Sequence, residues 1–181
     1  MGKNIFILLA VIFFLFSFGC LSGTKTLKET GYCAKVKDTI SDNFGIYGLF
    51  LQEEVDTSSK GIHYCEYLLG KTKVLQLLYS EEPDPERAYF ESLNGLKTNV
   101  QSNFSILNSK ENEKKGVRSF YLELIGKKNS AITVHAAAFG DSSSVLLSAT
   151  YVPGHPNPFT NGPLLEKISI QSLELSKKQI K

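Results

Sequence analysis

The chain has no tryptophan, one methionine and three cysteines among 181 residues. There is no CxxC pair, and Cys33 and Cys65 stand far apart with no histidine at ligand spacing, which argues against the common zinc frameworks. Blocks of like charge are also missing: 20 Lys and Arg lie interspersed with 18 Asp and Glu, for a net charge of +2, so the electrostatic footprint of a nucleic-acid binder is not there. No HExxH, Walker, EF-hand or GxSxG pattern occurs, and no motif calls for a cofactor. The longest unbroken apolar run, residues 5–16, falls short of the roughly 20 residues that a helix needs to cross about 30 Å of hydrocarbon. What is present suffices for a fold. Hydrophobic residues make up 42% and aromatics 11%, enough for a packed core, and residues 31–181 have the length of a single domain.

The apolar run follows Lys3 and precedes the small residue Gly19, the layout of a secretory signal with an h-region of about 7–15 residues. Residues 1–19 therefore read as a signal peptide. The tract Ser17-Phe18-Gly19-Cys20 resembles the lipobox of prokaryotic lipoproteins, bacterial or archaeal, with Ser17 and Phe18 in place of the family's usual aliphatic and small residues. The resemblance implies that Cys20 is lipidated, by palmitate-type acyl chains or a diether, and becomes the new N-terminus. Two other outcomes stay open: an uncleaved N-terminal anchor with Cys20 at the membrane edge, and cleavage to a freely secreted form. Lipidation and the uncleaved anchor both leave the remaining chain facing outward on a membrane. N-myristoylation asks for Ser or Thr at position six, where this chain has Phe6. One acyl chain holds a protein only marginally, and a doubly modified cysteine meets that need. Residues 20–30 are small and polar, a tether between lipid and domain. Lys177, Lys178 and Lys181 of the tail read as a solvated terminus.

With Cys20 consumed, Cys33 and Cys65 form an even pair in a compartment where disulfides persist. A bridge between them would contribute on the order of 3 kcal/mol through the unfolded state and staple the loosely specified segment around Cys33 to a strand. Two separate buried thiols are the alternative.

Strand-like segments begin near Ile46. Residues 61–80 make a hairpin through Gly70-Lys71-Thr72, with Ile62, Tyr64 and Glu66 alternating against His63, Cys65 and Tyr67. Asp84-Pro85-Glu86 opens a helix over about 85–101: a capping residue, a proline where its missing N–H costs nothing, and acid near the positive end of the dipole. Tyr89, Phe90, Leu93, Leu96 and Val100 form its apolar stripe, weakened at Gly95. An antiparallel meander follows, with strands at 104–107, 117–125, 131–139 and 145–152. Its turns fall at the charged residues 111–116, at 127–130 and at 140–142. Alanines at 136 and 138 predict an element pressed close to that face. Residues 153–163, with four of the six prolines, form a loop before a closing helix over 164–175. These elements specify an α+β sandwich, one domain in which helices pack on a mainly antiparallel twisted sheet.

The hairpin, the helix opening on Asp-Pro-Glu, the antiparallel strands and the final LLEKISIQSLEL together resemble the PsbP-like domains, a group that includes DcrB-type bacterial lipoproteins. The resemblance spans roughly residues 46–175 and implies a small exported domain, mostly non-catalytic, that binds or stabilises partner proteins. Candidates for chemistry are few. His63 and His135 lie within apolar strands, where core or rim roles are commoner than ligation. His155 sits in the proline-rich loop, and Asp141-Ser142-Ser143-Ser144 is ordinary turn chemistry. Asn103-Phe104-Ser105 satisfies the glycosylation triplet. The expected protein is thus a lipid-anchored binding or structural module on the outer face of the cytoplasmic membrane, with a surface protein as partner. An exported enzyme or small-ligand binder with a site near His135, His155 or Asp141 is the rival.

Overall fold

A computed structural model describes residues 31–57, 61–100 and 103–177. The leader, Cys20, the tether and the lysines at 178 and 181 lie outside the described residues.

Among the described residues three helices and seven strands follow one another as α1 (Tyr32–Phe44), β1 (Leu49–Thr57), β2 (Ile62–Leu69), β3 (Thr72–Glu81), α2 (Pro85–Val100), β4 (Phe104–Lys114), β5 (Val117–Gly126), β6 (Ile132–Gly140), β7 (Ser143–Tyr151) and α3 (Gly162–Lys177). The strands form one sheet in the order β1-β2-β3-β7-β6-β5-β4, antiparallel at every junction. The fold is α+β as the sequence implies, with the C-terminal helix packed on the sheet.

Alternation along the strands sends side chains to two faces, and each face has its own core. On the first, Leu75, Leu77, Val134, Ala136, Ala138, Val145 and Leu147 meet Val36 and Ile40 of α1 and Leu165, Ile168 and Leu173 of α3. The alanines have the consequence expected of them: α3 lies over β6, flanked by β5 and β7, with the small Ser169 and Ser172 fully buried in the helix. On the second face α2 places Ala88, Tyr89 and Leu93 over Phe120, Leu122, Ala137 and Phe139. The helices thus lie on both sides of the sheet, giving three layers.

Helix starts follow local chemistry. Asp84 Oδ1 accepts the Arg87 N–H at 3.0 Å, and Asn161 Oδ1 accepts that of Leu164 at 3.0 Å, capping α2 and α3. Glu123 reaches from β5 to accept the Gly162 N–H at 2.9 Å; a Cβ at Gly162 would stand 2.4 Å from the Tyr121 ring, so glycine is required there.

Three expectations need correction. The segment around Cys33 is a helix. Tyr32, Cys33, Val36 and Ile40 form a buried stripe, and Gly45 closes the helix in the left-handed conformation, but Gly31 supplies no side-chain cap, so the start carries no sequence signature. The charged residues 111–114 belong to β4, and the chain turns only at Lys115-Gly116, both at positive φ. Strand β4 is a sheet edge exposed along nearly its whole length, where charge is the normal occupant; a bulge beside Leu107 and lysines at 110 and 114 discourage edge pairing. Phe90 leaves the α2 stripe and is 47% exposed, with the Arg118 guanidinium 5.5 Å above its ring. In β3 the register shifts opposite Tyr67 and Leu68, so Val74 and Leu75 are both buried and the alternation breaks.

Candidate functional site

The Cys33–Cys65 disulfide joins the first turn of α1 to the middle of β2 across a Cα separation of 5.7 Å, with both cysteines fully buried. Around it Tyr67 Oη donates to the Cys33 carbonyl at 2.9 Å and Tyr32 Oη donates to the Ser172 carbonyl of α3 at 3.1 Å. Burial pushes the Tyr32 phenol well above its ordinary range, so it stays a neutral donor. Asn43 donates to Gln171 at 2.9 Å. Bridge and hydrogen bonds hold α1, uncapped at its start, against β2 and α3.

The histidines do not converge. His63 is on the first face, its ring 5.8 Å from that of Tyr32 and 5.5 Å from that of Tyr79. His135 points to the second face from β6, with β3 and β7 between the two strands. His155 is exposed in the loop after β7, its N–H bonded to the Val152 carbonyl at 2.8 Å. Asp141 occupies the left-handed β6–β7 turn and pairs with Lys177. Ser144 Oγ donates to Glu82 at 3.1 Å and contacts Ser80 Oγ at 2.9 Å, tying β3 to β7. Asn103 is exposed at the turn before β4, where its carbonyl accepts the Lys127 N–H at 2.9 Å.

Sequence reading missed a polar row on the second face. Register brings His135, Ser148, Gln76 and Glu66 side by side across β6, β7, β3 and β2. Tyr64 Oη donates to Glu66 Oε2 at 2.9 Å, Gln76 Nε2 donates to Tyr64 Oη at 2.9 Å, and Lys73 pairs with Glu66 Oε2 at 2.6 Å. Glu66, only 4% exposed, is satisfied by this set. His135 Nδ1 is buried without a partner, and burial lowers the ring to about 4, so it is neutral near pH 7. The signal was present in the alternation of Tyr64, Glu66 and Gln76, but only the register shows that these residues adjoin His135.

The two ends of the sheet differ in charge. At one pole lie the start of α1, the end of α3 and, among the described connections, 82–84, 115–116 and 141–142, which carry Glu82, Asp84, Asp141 and Lys115, with Lys177 of α3 paired to Asp141. An open groove of about 420 Å³ there is lined by Pro83, Arg118, Phe139 and Asp141, and Arg118 is already paired with Glu86 and Glu113. At the opposite pole the connections 45–48, 70–71, 127–130 and 152–161 carry Lys71, Lys127 and Lys128, all exposed, and the neighbouring carboxylates include Asp38 and Asp42 of α1, which share a groove with Tyr47. No protein-family model matches the chain, and a search of curated proteins finds no similar sequence.

Proposed function

We propose that this chain is an exported domain, held by a lipid on Cys20 at the outer face of the cytoplasmic membrane, that serves as a non-catalytic binding or structural module. The observation that carries this reading is the buried Cys33–Cys65 bridge, because a structural disulfide belongs to an oxidising compartment and the leader before it has the layout of an export signal. With residues 20–30 as the tether, a fully extended chain would let the domain stand at most about 40 Å from the lipid. The dispersal of His63, His135, His155 and Asp141 over two faces and two poles supports a role other than catalysis. So does the pattern likeness to the PsbP-like group.

Two experiments test the reading. In membrane fractionation the native protein should sediment with membranes and Cys20→Ser should be released or retained only as an unprocessed precursor; equal, mature-sized membrane retention of both would contradict lipidation. For the absence of catalysis, a variant substituted at His63, His135 and His155 together should rescue a deletion strain as well as the native gene does. Failure of a folded, correctly localised triple variant would favour the enzyme reading.

A further inference from the structure

We propose that the lysine-bearing pole is a docking surface for an acidic segment of a partner protein. The inference rests on the anchored reading for its orientation. Gly31 lies on the pole that also ends α3, so a chain anchored through residues 20–30 leaves the opposite pole clear of its attachment point.

Three observations converge on that pole. The first is charge: Lys71 in the β2–β3 hairpin and Lys127 and Lys128 in the β5–β6 turn lie at the same end, three strand spacings apart or about 14 Å, the reach of four or five extended residues. The connections between them contain no carboxylate; Asp38 and Asp42, on α1 beside Tyr47, bound the basic band on one side. The second is rigidity. Asn157, 7% exposed, donates to the carbonyls of Val74 at 2.7 Å and Thr150 at 2.9 Å and accepts the Phe159 N–H at 3.0 Å. Phe159, fully buried, packs edge-on against Phe44 with ring centroids 4.8 Å apart. The proline-rich loop is therefore fixed before any partner arrives, which lowers the ordering cost of association. The third is apolar exposure: Val152, 43% exposed, follows β7 between the two lysine turns, and Tyr47, 78% exposed, stands at the margin of the band. Tyr47 lies two residues before Leu49, whose register partner is Leu69, so its backbone is at the same end of the sheet as the Lys71 turn. Aromatic anchors beside steering charges fit a protein segment that carries both carboxylates and apolar side chains better than a uniform polyanion.

The test uses the full, membrane-extracted protein in detergent and a fluorescent seven-residue peptide of alternating Glu and Leu, with inorganic polyphosphate and phosphatidylglycerol vesicles as competing probes. Reversing Lys71, Lys127 and Lys128 to Glu should weaken peptide binding about tenfold or more, Tyr47→Ser should weaken it about threefold, and reversing Lys114 and Lys115 at the other pole should leave it unchanged. Equal loss from the Lys114 and Lys115 reversals, or no loss from the triple reversal, would overturn the proposal. Tighter binding of polyphosphate or vesicles than of the peptide, without dependence on Tyr47, would overturn the assignment to a protein partner. The binding assay involves no anchoring, so its failure leaves the lipid reading standing, and a soluble native protein would remove the orientation without affecting the measured affinities.

Discussion

On one face of the sheet two helices enclose an apolar core in which Val36, Ile40, Leu147 and Ile168 are all fully buried. On the other, α2 covers β5 and β6, while β7, β3 and β2 present Ser148, Gln76, Glu66 and Tyr64. The first face is closed: α3 presses on Ala136 and Ala138, and the polar groups buried there are few, with Tyr32, Tyr67 and Ser169 each donating to a backbone carbonyl and Ser172 Oγ left without a partner. The second tolerates polarity because Tyr64, Gln76 and Lys73 satisfy the Glu66 carboxylate; His135 Nδ1 is the exception. Stability is therefore concentrated on one side, and the other side is where polar substitution has room.

The largest expected effect tests the closed face. Replacing both Cys33 and Cys65 with Ser should cost about 3–4 kcal/mol, read from urea unfolding under non-reducing conditions, because α1 then loses the link that replaces a helix cap. A loss below about 1 kcal/mol would mean that packing alone seats the helix. Next, Leu147→Ala on the closed face should cost about 3 kcal/mol and Leu78→Ala, half-buried on the other, about 1 kcal/mol. Equal costs would erase the distinction between the faces.

His135 sharpens the comparison by pH. The unfolded chain takes up a proton near pH 6.5 that the folded ring refuses until about pH 4, so this contribution to stability is complete well above 6.5 and falls as pH drops through the two values, by about 3 kcal/mol. His135→Leu should flatten that slope, and an unchanged slope in the variant would show that another group causes it. Glu111, which the Lys97 hydrogen bond holds below the usual carboxylate range, acts in the same direction only in more acid solution. The smallest effect belongs to the surface: Arg118→Gln breaks solvent-screened contacts with Glu86 and Glu113 and should shift the urea midpoint least of all these substitutions.

The sequence made legible whatever rests on local chemistry. Asp84-Pro85 marks the start of α2 because capping is a matter of neighbouring residues, and glycine and charge mark the hairpins for the same reason. Cysteine parity pointed to the Cys33–Cys65 pair, which the fold brings together. Long-range arrangements were hidden. Helix α1 owes its start to a bridge and to a tyrosine 140 positions from its acceptor, which no local pattern records. The charged far end of edge strand β4, residues 111–114, looked like a turn because exposure on an edge leaves it as charged as a loop. The polar row and the charge difference between the poles depend on strand order, and an alternating sequence does not state which strands will be neighbours.

The anchored reading depends on what becomes of residues 1–20 in the cell, and intact mass of the membrane-extracted protein measures it. A polypeptide beginning at Cys20, heavier by a lipid and lighter by the two hydrogens of one disulfide, is the predicted result. A full-length, unmodified chain with Cys33 and Cys65 reduced would contradict it.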